Sequence, residues 1–154
     1  MNVSAKTMKR LLNLYPPYLG AGIKVENISQ NWNEIRVSMA VRWYNRNAVG
    51  THFGGSIYSM IDPHIMLILM KRLGSDYWIW DKSADIDFIK ATKKKITAHI
   101  FISDEEIEKI KALASTGQKQ LPQFTVDITD SDQTLIARVN KVIYIKKKSA
   151  QQLN

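Results

Sequence analysis

Residues 54–74 read GGSIYSMIDPHIMLILMKRLG. From Ile57 to Leu73 the stretch is apolar on every side, and Lys71, Arg72 and Gly74 supply the basic last turn and the glycine that close a helix. A helix without a polar face has to be covered all round by its own domain or by a membrane. The uninterrupted apolar run, Ile65 to Met70, is far shorter than the roughly 20 residues needed to span a bilayer. The covering must therefore come from the rest of the chain.

The sequence on either side supplies it as strands. Upstream, Ile35, Val37, Met39, Val41 and Trp43 alternate with Arg36, Ser38, Ala40 and Arg42, the period-two pattern of a half-buried strand over Ile35–Trp43. An earlier strand is expected over Ile23–Ile28, and before it a short helix in residues 1–17, capped by Ser4 and stopped by Pro16-Pro17. Downstream, strands are expected over Tyr77–Lys90, with Ala84, Ile86 and Phe88 opposite Asp85 and Asp87, and over Lys95–Ile102. Ser103 and Glu106 form a capping box that opens a helix ending before Gly117. Phe124, Val126 and Ile128 mark another strand, Leu135–Ile145 the last, and residues 146–154 read as a basic, flexible tail. Short turns between consecutive strands imply a mostly antiparallel sheet. The expected fold class is α+β, a single domain over 1–154 with the sheet wrapped around the buried helix.

Composition narrows the function. The chain has 154 residues, 45% hydrophobic and 23% charged, which excludes wholesale disorder. A net charge of +8 favours anionic partners: nucleic acid, a lipid surface or a phosphate-bearing ligand. Cysteine is absent and histidine occurs three times, so thiolate zinc sites, Fe–S clusters and a cysteine nucleophile are excluded and no metal is expected. Met1 to Tyr15 mixes basic residues with short apolar pieces and lacks the apolar core of a secretory signal. The expectation is a cytoplasmic protein without a membrane span.

The segment with chemical potential is Asn47-Ala48-Val49-Gly50-Thr51-His52-Phe53-Gly54-Gly55, which runs into the buried helix. Two glycines at a helix start let a ligand approach backbone N–H groups that lack helical partners, a place where a negative oxygen can be stabilised. The same glycines would equally serve close packing of helix on sheet. Asp62 lies in the apolar stretch, where a carboxylate should not be buried without a purpose or a partner. Asp62-Pro63 is also a good N-cap and N1 pair, and local grounds slightly favour that reading. The seven residues from Gly55 to Asp62 rise about 10 Å along a helix. An Asp base must come within about 3 Å of its target. If both take part, the Asp must arrive from a second subunit, and two-fold symmetry then makes two sites.

The pattern Asn-x6-Gly-Gly-x6-Asp between a strand and a buried helix resembles the hotdog-fold acyl-CoA thioesterases of the phenylacetate-pathway type. The closer likeness, including Asp62-Pro63, is to a little-characterised bacterial branch described as tetrameric acyl-CoA thioesterase-like. The resemblance implies a curved antiparallel sheet around a long central helix, and a homodimer or a dimer of dimers. It carries the active-site Asn onto Asn47, the oxyanion-hole glycine onto Gly54 or Gly55, the catalytic carboxylate onto Asp62 and a polar Ser onto Ser83. The usual His before the glycine pair is replaced by Phe53, with His52 one place earlier, and both are counted with the substrate-binding residues. Lys90, Lys93, Lys94 and Lys95 read either as a solvated surface or as point charges for the phosphates of coenzyme A.

The resulting expectation is hydrolysis of an acyl-CoA thioester at a site shared by two subunits, with coenzyme A as part of the substrate and no separate cofactor. Asp62 would be general base or nucleophile. The alternative is a non-catalytic acyl-CoA or lipid-binding module on the same fold. Single-stranded nucleic-acid binding, suggested by the charge and by Trp78 and Trp80, is disfavoured by the acidic residues that follow them and by the lack of an RNA-binding motif.

Overall fold

The computed structural model describes residues 3–149. Two short helices, α1 (Ala5–Leu14) and α2 (Pro16–Ala21), lead into strands β1 (Ile23–Ile28) and β2 (Glu34–Met39). Helices α3 (Gly54–Ser59) and α4 (His64–Leu73) follow, then β3 (Tyr77–Phe88), β4 (Ile96–Phe101), α5 (Asp104–Ala114), β5 (Gln123–Asp130) and β6 (Leu135–Lys147). The strands form one curved six-stranded sheet in the order β1-β2-β4-β5-β6-β3, every pairing antiparallel. The α+β class and the antiparallel sheet are as the alternation implied.

Local signals explain most boundaries. The Ser4 hydroxyl accepts from the Thr7 N–H at 3.1 Å, and that of Ser103 accepts from the Glu106 N–H at 3.1 Å, so both expected caps form. Pro16-Pro17 does more than stop α1: it starts α2, because a residue without an N–H and with fixed φ suits the first helical turn.

Three expectations need correction. The long central helix is two helices, broken over residues 60–63, where Pro63 cannot donate the hydrogen bond that would carry the helix through. The strand expected to run to Trp43 ends at Met39, where its neighbour β4 also runs out, at Ile96. Beyond that point the Asn45 side chain gathers the Ala21 and Ala40 carbonyls and the Arg42 N–H into a turn, and Trp43 stands 82% exposed. The basic tail is ordered further than expected: Lys146 and Lys147 pair with Trp78 and Tyr77, and the Lys148 N–H donates to the Asp76 carbonyl. Residues 150–154 lie outside the described residues.

The core is one cluster between the inner sheet face and the helices. From α4 it takes Ile65, Ile68, Leu69 and Leu73, while Met66, Leu67 and Met70 stay only partly covered. Strand β3 is a twelve-residue edge with no partner on its far side among the described residues. The half-covered apolar face of α4 thus lies beside an open edge strand.

Candidate active site

The loop before α3 is built around Asn47. Its amide nitrogen donates to the Thr51 hydroxyl (2.8 Å) and the His52 carbonyl (3.2 Å), and its amide oxygen accepts from the Val49 and Thr51 N–H groups (3.1 and 3.0 Å). This side chain is spent on folding the loop back on itself, an Asx arrangement that places His52 and Phe53 at the mouth of α3. His52 is 4% exposed, and its Nε2–H donates to the Lys94 carbonyl at 2.8 Å. Nδ1 is thereby left as an unprotonated nitrogen without a hydrogen-bond partner. Burial pushes the His52 pKa below its ordinary value, so the ring is neutral at physiological pH.

Gly54 and Gly55 are the first two residues of α3. Their N–H groups have no intrahelical acceptor, and the N-cap residue Phe53 has no side-chain oxygen to offer. Both positions are tight. A Cβ on Gly54 would lie 3.0 Å from the Phe88 ring, and one on Gly55 would lie 2.5 Å from the Phe53 ring. Gly54 opens onto a cleft of about 290 Å³ whose walls include Asn47, His52, Phe88 and Lys90. The loop, the helix start and the end of β3 thus enclose a small cleft with Gly54 in its lining.

Asp62 does not line that cleft. It sits in the break between the helices with its side chain about half exposed. Pro63, not Asp62, is the N-cap of α4, and no side chain caps that end. Instead the carbonyl of Asp62 accepts a hydrogen bond from Lys141 Nζ, whose charge also lies 3.4 Å from Oδ1 of the Asp62 carboxylate. Asp81 forms an ion pair with the same ammonium at 2.8 Å. Burial first, then the charges of Asp62 and Asp81, raise the pKa of the nearby Tyr58. Behind this group His64 is fully buried, its Nε2 2.9 Å from the Tyr18 hydroxyl. Burial and then the Lys141 charge push the His64 pKa down to about 3.

The remaining candidates separate. Ser83 pairs with Val142, whose neighbours Asn140 and Tyr144 face outward, so Ser83 lies on the outer sheet face, away from the cleft. The lysines divide into two pairs. Lys90 lines the cleft and Lys93 lies beside Gly50 of the loop. Lys94 is engaged by Asp132, and Lys95 by Glu26 at 3.1 Å. A hydrogen bond from Ser38, then Lys24 and Lys95, hold the Glu26 carboxyl down at about 2.

Lys141 is the residue that sequence reading passed over. Strand β6 alternates Val139, Ile143 and Ile145 inward, and a lysine stands in that same inward register. A charge at a core-facing strand position was the available signal.

A model of the family described as "Domain of unknown function (DUF4442)" matches residues 4–145. The chain belongs to this family. Among curated proteins no significant match is found. Solved structures do resemble it. A protein from Pseudomonas aeruginosa named as of unknown function and a probable thioesterase is 14% identical, with a TM-score of 0.83 over 96% of this chain and 99% of that one. A thioesterase from Haemophilus influenzae is 12% identical, with a TM-score of 0.69 over 96% and 93%. A protein of unknown function from Chlorobaculum tepidum is 14% identical, with a TM-score of 0.74 over 94% and 98%. At such identities the likeness is one of fold alone, shared with proteins of which two are described as a probable thioesterase and a thioesterase. Among the described residues no helix is long and apolar enough to cross a membrane.

Proposed function

We propose that this protein is an acyl-CoA thioesterase of the hotdog type, working as a homodimer or a dimer of dimers. The observation that carries the reading is the cleft at the start of α3. Its lining brings Gly54, the first residue of α3, together with a neutral His52, an apolar wall and Lys90, and Gly55 follows directly in the same helical turn. A thioester carbonyl seated there would have its developing negative charge stabilised by donors already in place.

The carboxylate comes from the partner subunit. Asp62 lies outside its own chain's cleft and half exposed, and the partly covered Met66, Leu67 and Met70 give α4 a face to set against a second copy. Asp62 acts on water as general base or attacks the carbonyl carbon directly. Asn47 contributes by shaping the loop that carries His52 and Phe53. Lys90 and Lys93 hold phosphates of the coenzyme as point charges.

Thiol release from a panel of acyl-CoAs tests the reading. Asp62→Asn keeps shape and loses basicity, so turnover should fall by about 10²-fold or more while acyl-CoA binding stays. Turnover by the variant at the parental rate would remove Asp62 from the chemistry. A parent that binds acyl-CoA without cleaving it would make the protein a binding module.

A further inference from the structure

We infer that Lys141 is the residue that positions Asp62 for reaction, a role that rests on the thioesterase reading above. Lys141 lies in the middle of β6, between Ala84 of β3 and Phe124 of β5, and is 0% exposed. The inward-facing residues on either side of it, Val139 and Ile143, are also fully buried. A cation inside an apolar core is costly unless its partners are good, and replacing a whole buried ion pair by apolar residues of similar volume is often neutral or stabilising. Stability alone gives β6 no reason to place lysine there.

Its partners give the reason. The ammonium reaches the carbonyl and the carboxylate of the same residue, Asp62, and pairs on its other side with Asp81. The Asp62 carbonyl belongs to no helix: α4 takes its first acceptor from Pro63, which receives the Leu67 N–H. Lys141 therefore holds Asp62 by backbone and side chain at once. Asp81 is brought inward beside it by the irregularity in β3 between Asp81 and Ser83. The cation sits within, and the two carboxylates stand between it and solvent, half and about one-third exposed. Asp62 is thus fixed in direction while its outer oxygen stays open to a second subunit. Catalysis needs the reacting group held close to its productive geometry by a supporting shell, and a displacement of about 1 Å can cost 10²-fold in rate.

A double-mutant cycle in kcat separates positioning from structural support. Lys141→Met leaves Asp81 and the Asp62 carbonyl without their partner, so its urea midpoint should fall; in the folded variant KM should stay within about threefold while kcat falls 10–10²-fold. In the Asp62→Asn background the same change should cost nothing further, because its route to the chemistry is already gone. Losses that multiply in the double variant, or an unchanged kcat in Lys141→Met, overturn the inference. If Lys141→Met does not fold, Lys141→Gln, which keeps a donor toward the Asp62 carbonyl, enters the cycle with the same expectations. Absence of turnover in the parent overturns the thioesterase reading and this role together; an active parent with multiplying losses overturns this role alone.

Discussion

A single methyl group at residue 54 separates the oxyanion role of the glycine pair from a packing role. In Gly54→Ala the new Cβ would lie 3.0 and 3.2 Å from two carbons of the Phe88 ring. Comfortable carbon–carbon separations are about 3.5–4.0 Å, so the ring must retreat by roughly half an ångström. Phe88 is 58% exposed and ends the edge strand β3, so it can swing outward instead of straining a packed core. That cost lies at or below the low end of the about 1–3 kcal/mol usual for overpacking a core. Reduced freedom of the unfolded chain offsets about 0.4–1 kcal/mol of it. The net change in stability should stay within about 1 kcal/mol.

Activity should not be spared in the same way. Gly54 and Phe88 line the same cleft in contact with each other, so the methyl and the displaced ring together would narrow it where a carbonyl oxygen would approach the start of α3. Losing one oxyanion-hole donor typically costs about 10²–10³ in kcat. The assay is urea unfolding followed by circular dichroism, beside thiol release from acyl-CoA by the same preparation. A variant that hydrolyses within a few-fold of the parent shows that the substrate does not approach Gly54, and a loss of stability beyond about 2 kcal/mol shows that the glycine is there for packing.

The two lysine pairs should behave differently. Lys90→Ser with Lys93→Ser should raise KM for acyl-CoA several-fold and spare a thioester without the nucleotide, whereas Lys94→Ser with Lys95→Ser should leave both substrates alone, since those side chains are engaged with Asp132 and Glu26; equal effects of the two pairs would refute this division. The buried His64 should make stability depend on pH. Its pKa is about 3 in the folded chain against an ordinary 6.5, so between those values the unfolded chain holds the extra proton. Unfolding free energy should therefore fall as pH drops below about 6.5, by up to about 1.4 kcal/mol per unit, and level off near pH 3. His64→Gln should flatten this slope between pH 6.5 and 5, where few carboxylates titrate, and an unchanged slope would place the proton uptake elsewhere.

What sequence alone determined about this molecule is whatever depends on neighbours along the chain. The caps at Ser4 and Ser103 are local hydrogen bonds between residues three apart, and both form as the residue types imply. The inward register of Ala84, Ile86 and Phe88 follows from the two-residue period of a strand, and it is the register in which they meet Lys141, Val139 and Ala137. The Asn47–Gly55 segment was legible as a turn leading into a helix because its hydrogen bonds close within five residues. Tertiary structure decided the rest. Local alternation carried the β2 strand on to Trp43, but a strand lasts only as long as its neighbour, and β4 runs out beside Met39. The four lysines formed one cluster in sequence and two pairs in space, because carboxylates 38 and 69 residues away claim Lys94 and Lys95. Lys141 and Asp62 are separated by 79 residues. A buried cation is intelligible only together with the acceptors that surround it, and chain folding alone brings those acceptors to it.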